Sequence, residues 1–514
     1  MKNVGRRNVL VAGVCAAALG GAALVWGPAL LDDGPEPLPG PAARAMTAAH
    51  AGAPASLPDL AVLIGDRKAW LREHPEDDAS WAVLGAAYTE RGTRTARAAD
   101  YGQAERALRK SLAVLPAKQG NVDAQLALGA LANARGDYAQ GRAWAERVRA
   151  QKPKRWAPYP VLIDAYTGLG DYAKAHKAAE ALKGLLPTAA ALDRAAQSFR
   201  DRGWREDANA TAIEAAGRAQ SPAQKAACLY RLGELAWERG EPAEAVAQYT
   251  AALRLAPAHG PSLAGRARAL GAQGRTAEAF RDYRAALSAA PLPEYALEAG
   301  ELYEAEGLDG DAATQYETLR ARVTEAGSYG VNGELVLARY ETDHGAPQDA
   351  VRRLRAQWAK GHRSMDVADA LAWALYRTGE AEEALPYARR ATEEGRRSAL
   401  FTYHRGQIER ALGRYGAARR HVAEALRINP YFSPLLAPAA REALTAMGDP
   451  PEGGPRSLEP AKNAPRRPVT GTRPAGTPST VAGNRPAGAT PTPAPTVVGN
   501  RSAGRNGWAQ RTAP

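Results

Sequence analysis

Glycine recurs along this 514-residue chain at an almost constant interval. A small residue stands seven positions before nine of the ten glycines, and Ala or Gly stands five positions after all but the first. A fixed period between about 20 and 50 residues predicts a repeat array rather than one globular core. After a first gap of 44 residues, the interval stays between 33 and 38 through Gly92, Gly136, Gly170, Gly203, Gly240, Gly274, Gly307, Gly345, Gly379 and Gly413.

The phase of the small residues predicts two antiparallel helices in each repeat, because helices approach closely only where side chains are small. The recurring glycine between the two helices supplies a turn conformation that a Cβ would oppose. Prolines such as Pro153 and Pro257 stand seventeen residues after a glycine, where the second helix must end. The first repeat departs from this phase, since an insertion around 93–100 moves the matching alanine to Ala104.

The first repeat also carries a recognisable motif. Its residues resemble the opening of the tetratricopeptide repeat, Trp-x2-Leu-Gly-x2-Tyr, at Trp81, Leu84, Gly85 and Tyr88. Later segments resemble the second helix of the same family, as in Ala104-x3-Leu108, Ala245-x3-Tyr249 and Ala279-x3-Tyr283. The resemblance extends over ten units, about two thirds of the chain. It implies an all-α fold, a right-handed superhelical α-solenoid of antiparallel helix pairs. Composition adds to this fold an N-terminal apolar helix and a disordered C-terminal tail.

Composition divides the chain into segments. The ends of a solenoid expose apolar faces that extra helices cover, and a Pro/Gly/Thr/Ala-rich stretch with little to bury is expected to be disordered. The predicted organisation is an export signal or transmembrane anchor at 1–31, a flexible Pro/Ala-rich stalk at 32–56, a capping helix at 57–77, a solenoid of about ten repeats at 78–433, a second capping helix at 434–447 and a disordered basic tail at 448–514.

The N-terminus resembles an export segment. Lys2, Arg6 and Arg7 precede an uncharged stretch at 9–31, and Asp32 follows at once. At 1.5 Å per residue this stretch spans roughly 34 Å as a helix, enough to cross a bilayer core of about 30 Å. Positive charge before it predicts a single-pass protein of the cytoplasmic membrane with its bulk outside the cytoplasm. The alternatives are secretion after signal cleavage and, from the paired arginines, export by the twin-arginine route.

The net charge of +12 is unevenly distributed, because the tail at 448–514 carries nine Lys or Arg against three acids. Spaced arginines in a flexible coil favour an alternative function, a cell-envelope adaptor that binds anionic polymer or lipid through this tail. A solubilising tether is the simpler interpretation of the same residues. Nucleic acid is not an expected partner, since the predicted topology directs the repeats away from the cytoplasm.

The sequence offers no catalytic motif. Its eight histidines show no metal-ligand spacing, and neither a phosphate-binding loop nor a nucleophile elbow is present. We therefore expect no enzyme activity, no catalytic residue, no cofactor and no metal. The two cysteines, Cys15 in the apolar N-terminus and Cys228 in a repeat helix, exclude a disulfide framework. We expect Cys228 to be buried and inert.

The family resemblance also implies where a partner would bind, because first helices line the concave surface of such arrays. The predicted function is a protein–protein interaction scaffold that binds polypeptide segments in this groove, outside the cytoplasmic membrane. Aromatic residues and arginines contribute most at interfaces, although at helical spacing they also serve as packing. The candidate groove residues are Tyr230, Arg231, Glu234, Trp237, Arg268, Glu301, Arg339, Trp373, Tyr376, Arg377, Tyr403 and Arg410.

Overall fold

A computed structural model describes residues 39–448, which all belong to one compact unit, and these residues form α-helices without any β-strand. The helices are α1 Pro41–His50, α2 Leu57–Glu73, α3 Asp78–Thr95, α4 Ala99–Val114, α5 Val122–Ala134, α6 Tyr138–Gln151, α7 Pro158–Gly168, α8 Tyr172–Leu185, α9 Ala189–Asp201, α10 Arg205–Arg218, α11 Pro222–Glu238, α12 Pro242–Leu255, α13 Gly260–Ala272, α14 Thr276–Ala289, α15 Pro293–Ala305, α16 Asp309–Gly327, α17 Glu334–His344, α18 Pro347–Ala359, α19 Met365–Arg377, α20 Ala381–Glu393, α21 Ala399–Ala411, α22 Tyr415–Ile428 and α23 Leu436–Ala446.

The helices α3 to α22 form ten consecutive pairs, here called units 1 to 10, each with a helix A followed by a helix B. Small residues allow the pairs to pack closely. Tyr249 of α12 is fully buried between two helices A. A Cβ at Gly233 of α11 would lie 2.4 Å from its ring, and one at Gly265 of α13 would lie 2.6 Å away. The predicted α-solenoid of helix pairs is confirmed.

Eight of the ten recurring glycines follow helix A in the left-handed conformation, as at Gly170 with φ of +76°. The other two do not, and the prediction of a glycine turn is wrong there. Gly92 lies inside α3, because the insertion extends this helix to Thr95, and Ala96 takes the left-handed conformation instead, with φ of 53°. Gly345 ends α17 with φ of −141°, which is an ordinary extended value.

The flexible stalk predicted at 32–56 is wrong for the part that the structure describes. The helix α1 packs on α2, and Ala45 and Ala55 are both buried. Arg44 forms an ion pair of 2.5 Å with Asp59 of α2, and the amide of Ala55 donates a hydrogen bond to Glu90. These contacts with residues farther along the chain hold a segment whose composition alone predicts a linker.

The capping helices predicted at 57–77 and 434–447 correspond to α2 and α23. The helix α1, which precedes α2 in the chain, packs on α2 as a further helix at the N-terminal end of the array. The predicted anchor at 1–31 and nearly all of the predicted tail at 448–514 lie outside the described residues. Among the helices in 39–448, none combines the length and the apolar character needed to cross a membrane.

Units that are six apart touch each other. The turn between helices A and B of units 2, 3, 4 and 5 meets the loop that enters α17, α19, α21 and α23, respectively. The first of these contacts joins the carbonyl of Arg135 to the amide of Asn332 by a hydrogen bond of 2.9 Å. About six units therefore complete one turn of the solenoid, and its successive turns are in contact. We call these four meetings of a turn with a loop the inter-turn contact.

Candidate partner-binding groove

The helices A of units 4 to 10 enclose a cavity of about 460 Å³. The loop between α22 and α23, together with α23, completes its wall. A volume of this size lies in the range of about 300–1,000 Å³ that is typical of ligand pockets. It suits a few residues of a segment rather than a folded domain. Apolar and charged side chains share its wall, and the charged ones are Arg200, Glu234, Glu238, Arg268, Glu294, Glu298, Glu301, Arg339, Asp343, Asp366, Asp369, Arg396, Arg397 and Arg441.

The structure brings half of the predicted groove residues together at this cavity. The six that line it come from five helices A and are Glu234, Trp237, Arg268, Glu301, Arg339 and Trp373. The six that do not line it are Tyr230, Arg231, Tyr376, Arg377, Tyr403 and Arg410. That any of the twelve contacts a partner stays a prediction.

Predicted residues outside the cavity are mostly engaged within the array. Arg231 forms an ion pair of 3.1 Å with Asp193 of the preceding helix A. Tyr403 is 5% exposed and packs on Phe432. Such side chains serve the packing of one unit on the next, which the spacing of residues along a helix does not distinguish from partner contact.

Of the other four predicted residues outside the cavity, three contact neighbouring side chains and one is exposed. Arg377 pairs with Asp343, and the Tyr376 ring stacks on Trp373 with centroids 4.9 Å apart. Tyr230 packs edge-on against the ring of His259. Arg410 is exposed on α21, away from the cavity.

Arg268 is the centre of one charged cluster in the cavity wall. Its guanidinium lies 2.7 Å from Glu234 and 3.3 Å from Glu298, so it connects helices A of units 5, 6 and 7. It also lies over the Trp237 ring, 5.1 Å from the centroid. Burial opposes the charged form, but the two carboxylates outweigh this effect and raise the Arg268 pKa. This arginine therefore acts first as a structural bridge.

A second charged cluster runs along the other side of the wall. Arg200 donates hydrogen bonds of 2.8 and 2.9 Å to the two carboxylate oxygens of Glu238. Arg396 lies 3.6 Å from Glu238 and 3.2 Å from Asp366, which also pairs with Arg339 at 3.1 Å. Burial would raise the Asp366 pKa, yet the surrounding arginines hold it at about 2. The ion pair between Arg396 and Glu238 crosses the inter-turn contact.

The helix α15 presents three carboxylates to the cavity, at Glu294, Glu298 and Glu301. Arg268 neutralises Glu298, and His344 lies 3.8 Å from Glu301. Glu294 is exposed within the cavity and forms no ion pair with the described residues. Desolvation by the surrounding protein raises the Glu294 pKa. This wall therefore retains unbalanced negative charge.

Sequence reasoning missed a buried pair beside Trp373. The His404 ring stacks on Trp373 at 4.1 Å, and its Nδ1 lies 3.0 Å from a carboxylate oxygen of Asp369. Both partners are at most 5% exposed. The only signal in the sequence was two polar residues at inward helical positions, at Asp369 of α19 and His404 of α21.

The described residues contain no group of three or more His, Cys, Asp or Glu side chains arranged to hold a metal ion. Cys228 is 1% exposed, and burial raises the pKa of its thiol to about 12, as expected for an inert structural cysteine.

Two sequence models of the tetratricopeptide repeat match this chain, one over residues 226–259 and the other over 370–431. The first covers most of unit 5, and the second covers unit 10 and most of unit 9. This chain is a tetratricopeptide-repeat protein. Proteins built from tetratricopeptide repeats are protein–protein interaction scaffolds and typically non-catalytic. The matched units contribute Glu234, Trp237 and Trp373 to the cavity wall.

Several solved structures are similar to the tetratricopeptide-repeat chain. A tetratricopeptide repeat protein from Parabacteroides merdae is 20% identical over 50% of this chain and 98% of its own, with a TM-score of 0.31. A chain of the APC/C hetero-tetramer Cut9–Hcn1 is 12% identical over 76% and 82%, with a TM-score of 0.40. MamA is 19% identical over 33% and 98%, with a TM-score of 0.27. No curated protein matches the chain.

Proposed function

We propose that the cavity enclosed by helices A of units 4 to 10 binds an extended polypeptide segment of a partner protein. The supporting observation is the cavity itself, because its wall is built from the helices that tetratricopeptide repeats turn towards their concave side. Its walls combine two largely buried tryptophans, Trp237 at 8% and Trp373 at 6% exposure, with donors and acceptors, the mixture that a peptide needs. The volume restricts the bound part to a few residues.

The charge of the α15 wall determines the type of segment. Arg200, Arg268, Arg339 and Arg396 are each paired with carboxylates of the same wall, Arg397 pairs with Glu424 outside it, and Arg441 donates to the carbonyl of Pro430. Six arginines and eight carboxylates line the cavity, so its net charge is negative. Glu294, in contrast, forms no ion pair with the described residues, and the charge of Arg339 offsets only part of the desolvation that raises its pKa. A lysine or arginine side chain of the segment would neutralise Glu294 in surroundings of reduced dielectric, where a charge pair is stronger than in bulk water. We infer that the segment carries a basic residue at this position.

Fluorescence anisotropy of labelled peptides tests this function. The full chain is titrated with a Lys/Gly/Ser peptide and with a Glu/Gly/Ser peptide of the same length, and we expect tighter binding of the basic one. Substituting Glu294→Gln should weaken binding of the basic peptide about three- to tenfold. The matched control is Glu317→Gln, which removes the same charge from an exposed position on α16. Equal affinities of the parent for both peptides, or an equal loss of affinity for the basic peptide in Glu294→Gln and Glu317→Gln, would contradict the proposal.

We also propose that the repeats act outside the cytoplasm, on the basis of Lys2, Arg6 and Arg7 before the uncharged stretch at 9–31. A topology reporter tests this location. It should be fused after residue 38, because α1 begins at Pro41 and a fusion within 41–73 would disrupt the packing of α1 on α2. Activity of a reporter that works only in the cytoplasm would exclude this location.

A further inference from the structure

We propose that the inter-turn contact closes the groove around its ligand, so that a polypeptide segment enters when two turns of the solenoid separate and is then enclosed as an extended strand. The consequence for binding rests on the proposed function, whereas the opening itself is a property of the free protein. The contact lies at the edge of the cavity, because Trp237, Arg396, Asn429 and Pro430 belong to both.

The contact between unit 3 and the loop entering α19 is tight and buried. A Cβ at Gly170 would lie 2.1 Å from the carbonyl oxygen of Arg363. The amide of Met365 donates a hydrogen bond of 2.9 Å to the hydroxyl of Tyr172. Tyr172 and Met365 share an apolar cluster with Phe401 of unit 10. Two parts of the chain that are 193 residues apart therefore pack as closely as neighbouring helices do.

The next contact along the groove is reciprocal. A Cβ at Gly203 would lie 2.2 Å from the carbonyl oxygen of Gly395, and a Cβ at Gly395 would lie 2.5 Å from the carbonyl oxygen of Arg202. Backbone touches backbone here, and no side chain intervenes. Only glycine permits so close an approach, because any larger residue on either side would force the two turns apart.

The last contact closes the cavity at α23. The side-chain amide of Asn429 donates a hydrogen bond of 2.8 Å to the carbonyl of Trp237, and Asn429 is 3% exposed. A Cβ at Gly240 would lie 2.9 Å from Pro430. Because the loop at 429–434 also lines the cavity, moving this loop away from α11 would open the cavity wall.

The contact is built so that it can separate without unfolding a unit. It joins loops and turns through a few hydrogen bonds, the ion pair between Arg396 and Glu238 and one small apolar cluster, while each helix pair buries its larger core against its own neighbours in the chain. In a repeat array, stability is the sum of terms within units and between adjacent units. Breaking a contact between units six apart therefore leaves those terms intact. Opening of this kind belongs to the local, low-energy motions of a folded protein.

Glycine substitutions distinguish an effect on the inter-turn contact from an effect on the local turn between helices A and B. In the double variant Gly170→Ala and Gly203→Ala, each Cβ meets the opposite turn. The control is Gly274→Ala with Gly307→Ala, at the same position of units 6 and 7. These glycines have nearly the same φ, +73° and +72°, but a Cβ there meets nothing within 4 Å. Both variants carry the same left-handed strain, so only the first should open the contact.

A second variant avoids glycine altogether, in case the first misfolds. Tyr172→Phe with Asn429→Asp removes the hydroxyl that accepts from Met365 and the amide that donates to Trp237. The Gly170/Gly203 pair and the Tyr172/Asn429 pair are the two variants that weaken the inter-turn contact. In both of them, hydrogen exchange at the Met365 amide should accelerate at least about tenfold over the parent and over the glycine control. Unchanged exchange at Met365 in both variants would overturn the proposal that this contact opens.

Access to the cavity is measured with a thiol introduced at its wall, without any ligand. Ala272→Cys lines the cavity, and the variant is made in a background with Cys15→Ser and Cys228→Ala. A polyethylene-glycol maleimide should react about tenfold faster with this thiol when either pair of substitutions that weakens the inter-turn contact is also present. The small reagent N-ethylmaleimide should react at the same rate in all variants. Equal rates with the large reagent in every variant would show that the contact does not control access.

The same variants distinguish this proposal from the proposed function. If Met365 exchange and maleimide access respond as expected while the basic peptide binds to no variant, the inter-turn contact still controls access and the proposed function fails. If the peptide binds, its association rate should increase in the two variants that weaken the inter-turn contact and stay unchanged in the Gly274 and Gly307 control. A binding rate that is the same in all of them would overturn enclosure of the ligand.

Discussion

The side-chain amide of Asn429 donates a hydrogen bond of 2.8 Å to the backbone carbonyl of Trp237, 192 residues earlier in the chain. The carbonyl belongs to the end of α11, and Asn429 directly follows α22. Its own side-chain oxygen accepts a hydrogen bond from the amide of Tyr431. One residue thus orders the loop that enters α23 and attaches this loop to unit 5.

Asn429→Asp should destabilise the folded unit by about 1–3 kcal/mol, because it places a buried carboxylate against the Trp237 carbonyl in place of a donor. The aspartate keeps the acceptor for the Tyr431 amide, so the loop itself should remain ordered. The free energy of unfolding from urea denaturation measures the cost. Gln103→Glu, a comparable change at an exposed position on α4, is the control and should change stability by less than about 0.5 kcal/mol.

Glycines within helices should respond to alanine with opposite signs. At Gly233, a Cβ would lie 2.4 Å from the buried Tyr249 ring, so Gly233→Ala should destabilise by about 1–3 kcal/mol. At Gly65 in α2, a Cβ meets nothing within 4 Å, and Gly65→Ala should stabilise by about 0.5–1 kcal/mol through helix propensity. Thermal or urea unfolding measures both. Destabilisation by Gly65→Ala would contradict the helical packing described here.

The pairing of helices was predictable because its cause is local and periodic. A small residue at Gly233 or Gly265 is needed because Tyr249 must fit between two helices A, and nine of the ten units have a small residue at the position of Gly233. The same periodicity misleads at Gly92, because it matches the interval but not the helix end. The insertion after it extends α3, and Ala96 makes the turn.

The inter-turn contact was not predictable from the sequence. Which units meet depends on the small rotation from each unit to the next, summed over six units, and no short pattern carries that sum. Gly395 and Asn429 therefore appear in the sequence as ordinary loop residues. The same limit explains the predicted groove residues that lie outside the cavity, since Arg231 and Arg377 face inward along their helices yet pair with carboxylates of neighbouring units.

His344 should make stability depend on pH above about pH 6.5. Its Nδ1 lies 3.1 Å from Glu304, and its ring stacks on Tyr316. Burial opposes protonation of His344, but Glu301 and Glu304 outweigh it and raise the pKa above the ordinary value of 6.5. A raised pKa in the folded state means that the protonated histidine stabilises the fold below about pH 6.5, and that this contribution is lost as the pH rises through the folded value.

The comparison of the parent with His344→Gln isolates this contribution. The difference in unfolding free energy between the two proteins should be larger at about pH 6 than at about pH 9. His74→Gln, at a half-buried position after α2, serves as the control, since His74 stacks on Trp70 but has no carboxylate partner among the described ion pairs. A difference that is constant across this range would mean that His344 is neutral in the folded protein.

Asp366 should give the opposite dependence, at acid pH. Its folded pKa of about 2 lies below the ordinary value of 3.8, because Arg396 and Arg339 favour the carboxylate. The ion pairs therefore stabilise the folded state fully above about pH 4, and the contribution is lost as the pH falls towards 2. Asp366→Asn should cost about 1–3 kcal/mol at neutral pH, where it leaves both arginines without this partner.

The cost of Asp366→Asn should shrink when the two proteins are compared at successively lower pH, because the parent also loses the charge of Asp366. Urea unfolding at a series of pH values between about 7 and 2.5 measures this convergence. Asp311→Asn, an exposed residue in the first turn of α16, is a control for acid effects outside the cavity. If the unfolding free energies of the parent and of Asp366→Asn changed in parallel with pH, Asp366 would not be held ionised by Arg396 and Arg339. These three residues would then not act as a charged cluster that joins units 8 and 9 to the inter-turn contact.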